Sequence, residues 1–159
     1  MQVLDHLNEP MCCLIARQEM MFLSIGEANG ARDNTLRAGP PGFVRVLDEH
    51  RIAWPEFRGN GLLSSLGDVI ENAQVGLLFV DFTEDSVGLH VNGTVEIVDD
   101  PMIRYARQGQ VCVVARVQEA YLHCAKHIPH LQKPDRPGGR RAGIPHQRKS
   151  DDFAPRLVS

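Results

Sequence analysis

Short strand-like segments separated by turn residues run through most of the chain, and this pattern restricts its fold more than any other feature. Two of them flank Asn29-Gly30, a dipeptide typical of tight hairpin turns: MMFLSIGEA and NTLRAG. A second hairpin is predicted in FVRVLDEHRIAW, with its turn at Asp48-Glu49-His50. Three further β-rich segments follow: VGLLFVDF, SVGLHVNGTVEIV and GQVCVVARVQEAYLHC. The sequence therefore predicts a mainly β fold, a six- to seven-stranded antiparallel barrel with few helices.

Helical spacing occurs at the N-terminus and once in mid-chain. Residues 1–20 predict an N-terminal helical segment, one or two short helices broken at Asn8-Glu9-Pro10. The segment LLSSLGDVIENA spaces its apolar residues as a helix does, with Ser64 or Ser65 as the N-cap. One dipeptide leaves two readings open. Asn92-Gly93, inside an alternating run, is typical of either a turn or a β-bulge.

The composition is that of an ordinary globular domain. The chain has 159 residues, of which 43% are hydrophobic and 23% charged, and we expect one domain over residues 1–132. Its four cysteines are scattered without C-x-x-C spacing, which argues against a disulfide framework and favours a reducing cytoplasm. The N-terminus carries Asp5, Glu9 and Pro10 where a signal peptide would be basic and then apolar. No apolar run approaches the roughly 18 residues of a membrane span, so we expect no membrane partner.

Charge divides the chain into an acidic body and a basic tail. Residues 1–132 carry 10 Lys and Arg against 17 Asp and Glu, which argues against a nucleic-acid partner. Residues 133–159 form a tail rich in Pro and Gly that begins KPDRPGGRRAGIPHQRKSDD. This composition is typical of a solvated, weakly ordered segment. The alternative is a strap whose arginines reach a phosphate on a partner subunit.

No sequence motif indicates catalysis by a protein nucleophile or a bound metal. G-x-S-x-G, the Walker loop and G-x-G-x-x-G are all absent. His123 and His127 would share one face of a helix, but the segment ends a β-rich run and contains Pro129. It also holds no acidic ligand. We therefore predict neither a metal site nor a catalytic protein nucleophile.

Polar residues gather instead at strand ends and in the stretch WPEFRGNG, which separates a strand from the mid-chain helix. Arg37 ends the NTLR strand, Trp54 ends the next hairpin, and Arg58, Asn60 and Ser65 lie between that hairpin and the helix. Two guanidinium groups, an amide, a hydroxyl and the backbone N–H groups of a glycine loop are the donors that a phosphate monoester requires. The Trp54 ring could stack on a flat ligand or cap the core. Together these residues favour a flat cofactor that carries a phosphate.

The ordered combination of these segments resembles the FMN-binding split-barrel family related to pyridoxamine 5′-phosphate oxidase. The resemblance is strongest in RAGPPGFVRVLDEHRIAWPEFRGNGLLSSLGDVIENAQVGLLFVDF and continues in GLHVNG and AYLHCAKHIP. It covers residues 20 to 131 and is closest to uncharacterised stand-alone bacterial members. It implies a split barrel that forms a homodimer, with two FMN molecules at the subunit interface.

The resemblance also assigns residues to the cofactor. It implies that Arg58, Asn60 and Ser65 hold the phosphate with Arg37 nearby. Backbone groups of Ala53, Trp54 and Pro55 would lie along the isoalloxazine ring, and Lys126 would approach from the end of the last strand. The implied function is an FMN-dependent oxidoreductase that acts on a small molecule, with the flavin itself transferring hydride or electrons.

Several departures from the family pattern restrict the function. Relatives often carry Asn and Arg where this chain has Gly61 and Leu62, and Asn where it has Asp68. The Arg-x-His pair by which true pyridoxamine 5′-phosphate oxidases hold their substrate is not recognisable, so we do not expect that reaction. Two alternatives stay open. The first is a flavin or haem carrier without turnover, and the second is a reductase that uses a deazaflavin.

Overall fold

The fold is known from a computed structural model, which describes residues 2–26, 32–57, 73–98, 110–123 and 125–133. The predicted turn at Asn29-Gly30, the mid-chain helix and the tail from residue 134 onward lie outside the described residues. So do Arg58, Asn60 and Ser65. The predicted boundary between a domain and a tail at residues 132 and 133 therefore stays a prediction.

One α-helix precedes the strands. Helix α1 spans Glu9–Arg17, and the Asn8 side chain caps it by accepting a hydrogen bond from the Met11 N–H at 3.1 Å. Pro10 lies in the first turn, where its missing N–H costs no helical hydrogen bond. The prediction that Asn8-Glu9-Pro10 breaks a helix was therefore wrong, because these residues begin one. No helix in the described part of the chain combines the length and apolarity needed to cross a membrane.

Seven strands form a single antiparallel sheet, which confirms the predicted mainly β fold and strand number. Their order across the sheet is β2-β1-β5-β6-β7-β4-β3. The strands are β1 Met20–Gly26, β2 Arg32–Ala38, β3 Arg45–Asp48, β4 Arg51–Phe57, β5 Ala73–Asp81, β6 Val87–Val98 and β7 Gln110–His123. Both predicted hairpins, β1–β2 and β3–β4, are present. A short 3₁₀ helix, Ala125–His127, follows β7.

The sheet curls so that strands from its two ends meet through side chains. Arg37 on the edge strand β2 forms an ion pair with Glu56 on β4, which lies next to the other edge strand. No main-chain pairing joins these two strands among the described residues. A barrel closed by side chains rather than by a main-chain ladder is the split barrel that the resemblance implied.

Alternation along the strands places a single apolar core inside this curved sheet. In β1, Met21, Leu23 and Ile25 point inward and are buried, while Phe22 points outward and is exposed. The other strands contribute alternate residues in the same way, and α1 covers the core with Met11, Leu14 and Ile15. Side chains along each strand alternate between the core and the outer face, and this produces a period of two residues in the sequence.

The two readings of Asn92-Gly93 are resolved in favour of a bulge. Strand β6 runs unbroken through both residues, and its register with β7 shifts between them. A Cβ atom at Gly93 would overlap the main-chain carbonyl oxygen of Arg116. Glycine is required at this position because the backbones of β6 and β7 approach too closely for a side chain.

Candidate functional site

The second half of β4 pairs with fewer of the described strands than the first half does. Strand β3 pairs with β4 only from Arg51 to Ala53, whereas β7 pairs with it from Arg51 to Phe57. From Trp54 to Phe57, β4 therefore has one strand neighbour among the described strands. Pro55, which has no N–H to donate, is suited to a position with one such neighbour. Of the three residues whose main chain was predicted to lie along a flavin ring, Trp54 and Pro55 are in this segment, whereas Ala53 pairs with both β3 and β7. Arg58 follows the segment directly in the sequence.

The side chains of this segment alternate between two environments. Ile52, Trp54 and Glu56 point into the barrel and are buried. Ala53 lies on the opposite face, where it packs in a small buried cluster with Cys112 and Val114. The Trp54 ring belongs to the main core, so the interpretation in which it stacks on a ligand was wrong and the core-capping alternative is confirmed. The predicted role of the Trp54 main chain, to lie along a flavin ring, stays a prediction.

A buried hydrogen-bonded cluster lies at the end of β4. Glu56, with 1% of its surface exposed, accepts hydrogen bonds through Oε1 from Arg37 Nε at 2.5 Å and from Trp54 Nε1 at 2.9 Å. Arg37, whose side chain is 14% exposed, also donates from Nη1 to Thr35 Oγ1 at 2.6 Å and to the Leu36 carbonyl at 3.1 Å. We call these three residues, Arg37, Trp54 and Glu56, the seam cluster.

The seam cluster determines where the Arg37 side chain lies. Arg37 and Glu56 are 19 residues apart in the chain, yet their contact sets the guanidinium of Arg37 beside the end of β4, two residues before Arg58. Glu56 compensates the charge of Arg37. An anion at this end of the barrel therefore requires further donors, and those predicted, Arg58, Asn60 and Ser65, lie outside the described residues.

Lys126 lies in a different part of the structure. It is exposed to solvent in the 3₁₀ helix that follows β7. The histidines around it do not form the helical pair considered from the sequence, because His123 ends β7 and His127 lies in the 3₁₀ helix. Among the described residues, no group of three metal-binding side chains occurs.

The sheet also has a groove on its outer face, with a volume of about 730 Å³. Its floor is formed by β2, β1, β5 and β6. One row of cross-strand neighbours runs across it and continues onto β7: Leu36, Phe22, Leu78, His90 and Tyr121. We call this row the outer strip. A parallel row is polar and contains Asn34, Ser24, Gly76 and Asn92.

A pair of histidines lies at the β6–β7 end of the outer strip. His90 Nε2 and His123 Nδ1 are 2.9 Å apart, and the His90 ring stacks on Tyr121 with centroids 4.8 Å apart. Burial, and then the charge of His123, lowers the pKa of His90. The imidazole of His123 lies over Gly88, where a Cβ atom would overlap the ring. Two imidazoles in direct contact disfavour a second proton on the pair.

Sequence reasoning missed Glu56 and the histidine pair. Glu56 could have been found, because the alternation of Ile52 and Trp54 places it on the inner face of the strand, where a carboxylate needs a partner. The partner itself, Arg37, comes from a distant strand and has no local signal. The pairing of His90 with His123 likewise depends on the register of β6 against β7.

Comparison with protein families gives a match that extends over most of the chain. Residues 8–128 match the protein-family model described as pyridoxamine 5′-phosphate oxidase. This match covers well over half of the chain and includes every described strand. None of the curated proteins compared with the chain matches it.

Several solved structures share the fold at low sequence identity. A Lactobacillus delbrueckii protein, assigned provisionally as a pyridoxamine 5′-phosphate oxidase, is 18% identical with a TM-score of 0.56, over 74% of this chain and 95% of that one. HupZ from Group A Streptococcus is 17% identical with a TM-score of 0.54, over 73% and 93% of the two chains. An F420 reductase is 15% identical with a TM-score of 0.54, over 72% and 98%. At these identities the similarity shows a shared fold.

Proposed function

The chain belongs to the pyridoxamine 5′-phosphate oxidase family, and from this premise we propose that it is an FMN-dependent oxidoreductase acting on a small organic molecule. The observation that carries the proposal is the position of the Arg37 guanidinium beside the end of β4, where β3, among the described strands, no longer pairs with β4. This end of the strand brings main-chain groups next to a cation. A flavin phosphate presents the complementary groups, alternating carbonyl and N–H groups on the ring and a dianion on the chain.

The residue types proposed for the site suit FMN in their chemistry. The main chain of Ala53, Trp54 and Pro55 would orient the ring. Arg58, Asn60 and Ser65 would hold the phosphate, and Arg37 would lie close to it. When bound, FMN would supply the hydride- or electron-transfer chemistry, so the protein needs no nucleophile of its own.

The seam cluster would keep this site rigid. Glu56 fixes the Arg37 side chain through Nε and fixes the Trp54 indole through Nε1. Both contacts are shielded from water because Glu56 is buried. The cluster therefore positions the end of the strand and the neighbouring cation, which lowers the conformational entropy lost when a ligand binds there.

We also propose that the protein acts as a homodimer with its cofactor at the subunit interface. Within the described residues of one protomer, the outer groove is open. Lys126, exposed after β7, would approach the cofactor, where a cation favours the reduced, anionic flavin. Oxidation of pyridoxamine 5′-phosphate is not proposed, since its substrate-binding Arg-x-His pair is not recognisable in the sequence.

Titration of the purified full-length chain with FMN, a deazaflavin and haem tests the cofactor. We expect micromolar or tighter binding of FMN, seen as quenching of flavin fluorescence, and weaker binding of the other two. Absence of FMN binding would overturn the proposal. Tighter binding of the deazaflavin or haem would transfer it to the corresponding alternative. Stopped-flow reduction by NAD(P)H then separates an enzyme from a carrier, in which bound flavin would not be reduced.

Replacement of the loop arginine tests the phosphate site. We expect Arg58→Ala to weaken FMN binding by about 1.5–3 kcal/mol, since a hydrogen bond to a charged group is lost. Arg51→Ala is the matched control, because Arg51 begins β4, seven residues before Arg58 in the sequence, and pairs with Asp48 on the surface. An Arg58→Ala dissociation constant equal to that of the control would remove Arg58 from the site.

A further inference from the structure

The outer strip is unusual because two large apolar side chains are exposed next to each other at its β2 end. Phe22 is 40% exposed and Leu36 is 51% exposed, and they are direct neighbours across β1 and β2. Leu78 and His90 extend the strip across the next two strands, and both are half-buried. Adjacent exposed apolar side chains of this size on a sheet face are typical of a surface that another protein covers.

Among the described residues that line the groove, none has an acidic or strongly basic side chain. None of these fourteen residues is Asp, Glu, Lys or Arg, although 23% of the chain is charged. Its polar members are mainly amides and hydroxyls, such as Asn34, Ser24, Gln74 and Asn92. The nearest carboxylate in the polar row, Glu119, lies outside the lining and accepts a hydrogen bond from Asn92 Nδ2 at 3.3 Å.

This lack of charge selects the occupant. In a two-fold symmetric interface each surface meets its own copy, so any net charge on the surface repels itself. Amides and hydroxyls both donate and accept hydrogen bonds, so they can pair with their own copies. A partner of different sequence would instead favour a charged, complementary surface. Depletion of charge is also what distinguishes the centre of protein interfaces from the rest of the surface.

We propose that the outer strip is the face on which a second copy of this chain binds, and that the His90–His123 pair makes this association dependent on pH. This inference rests on the homodimer of the proposed function. It adds which face of the sheet the two protomers share and how pH controls their association. The histidine pair lies at the end of the strip, where a second copy would cover it. A covered pair is farther from water and holds a proton less well.

The surroundings of His90 determine the sign of the effect. Tyr121 and His123 face it from β7, Leu78 faces it from β5, and its neighbours on the same face of β6 are Gly88 and Asn92. Glu119, the next residue on this face of β7, is the carboxylate nearest along the strand, and it accepts a hydrogen bond from Asn92 Nδ2. Burial by a second copy therefore lowers the affinity of His90 for a proton. The dimer is favoured above the pKa of His90 in the free protomer and is lost as the pH falls through it.

Two matched substitutions of leucine test the face. Leu36 and Leu131 are equally exposed, at 51% and 50%, but only Leu36 belongs to the strip. Leu36→Asp should raise the dimer dissociation constant on the order of a hundredfold, because it sets like charges against each other. Leu131→Asp should leave it within about twofold. The measurement is sedimentation equilibrium of the full-length chain without cofactor at neutral pH.

The pH arm uses the double variant His90→Gln/His123→Gln. For the wild type we expect the dissociation constant to rise as the pH falls through the lowered pKa of His90, by as much as about a hundredfold per pH unit, since each of two protomers takes up a proton. The double variant should show a flat profile. His130→Gln, which removes a histidine that contacts Ser86 outside the groove, should retain the wild-type profile.

The outcomes separate this proposal from the proposed function. A dimer that survives Leu36→Asp overturns the face but leaves the homodimer intact. A flat wild-type profile overturns the role of the histidine pair. A wild type that is monomeric at all concentrations overturns both the face and the homodimer. FMN binding is measured independently by fluorescence.

Discussion

The seam cluster and the outer strip reverse the usual distribution of charge and apolar surface, on opposite faces of one sheet. Inside the barrel, where apolar side chains are the rule, Glu56 and Arg37 form an ion pair that is almost fully buried. Outside, where charge is the rule, Phe22 and Leu36 are exposed in an uncharged groove. Both regions lie on regular strands, so neither results from irregular backbone.

The two regions differ in how their unusual groups are compensated. Every buried side-chain nitrogen and oxygen in the described part of the chain has a hydrogen-bond partner. The buried charged groups are therefore compensated within one protomer. The apolar groups outside have no cover within the described residues. We therefore expect substitutions in the seam cluster to change the stability of the protomer, and substitutions in the outer strip to change its self-association. Substitutions can test this division directly.

Removal of the buried carboxylate should have the largest effect. Glu56→Ala leaves the Arg37 guanidinium and the Trp54 N–H without the acceptor they share. We expect the free energy of unfolding to fall by about 3–5 kcal/mol, because one partner of a buried ion pair is left uncompensated. Urea denaturation measures it. The double variant Arg37→Met/Glu56→Leu should cost less than Glu56→Ala alone, and a loss below about 1 kcal/mol for Glu56→Ala would contradict the cluster's role.

The second largest effect is expected from a comparison of two adjacent residues of β1, one on each face of the sheet. Leu23→Ala empties part of the core, and we expect it to cost about 2–5 kcal/mol of unfolding free energy. Phe22→Ala, one residue away on the outer face, should cost under about 1 kcal/mol. Both are measured in the Leu36→Asp background, so that self-association does not contribute. Similar losses for the two variants would mean that the outer strip is part of the protomer's own core.

Substitution of Asp81 should change the free energy of unfolding by the smallest amount of the three, and this change should depend on pH. Burial acts to raise its pKa, but hydrogen bonds from the backbone N–H groups of Glu84, Thr83 and Asp85, and the charge of Arg17, outweigh burial and lower the pKa from 3.8 to about 2. The carboxylate therefore stabilises the fold at pH values above 4, and this contribution is lost as the pH falls from about 4 toward 2.

The expected contribution of Asp81 is about 2 kcal/mol. Asp81→Asn should lose that amount at neutral pH, and the difference from the wild type should close as the pH approaches 2. Guanidinium denaturation at several pH values measures both. A difference that is constant across this range would show that Asp81 contributes through its shape and hydrogen bonds rather than through its charge.

Local signals predicted the strands because each strand has one face in the core. In β1 and in the middle of β6, from Leu89 to Val95, buried residues alternate with less buried ones. The same signal failed at Asn8-Glu9-Pro10, because proline breaks a helix in its interior but is favoured in its first turn. The outcome at Asn92-Gly93 depended on the close approach of β7, which no local pattern contains.

The candidate site was predictable in part. The end of β4 follows from its hairpin and from the glycine loop after it, and Arg37 was expected near this end from the resemblance. The ion pair with Glu56 required knowledge that β2 and β4, at opposite ends of the strand order, come together. The outer strip required the register of five strands at once. Contacts of this kind arise from topology rather than from local preference.

The strand order also has a consequence for how the chain folds. Three units are local in sequence: the β1–β2 hairpin, the β3–β4 hairpin and the β5–β6–β7 meander. Only two ladders, β1 with β5 and β4 with β7, join segments that lie far apart along the chain. Closing these long loops costs entropy before their contacts form, which slows folding. We therefore expect the rate-limiting step to be the docking of two preformed hairpins on either side of the meander.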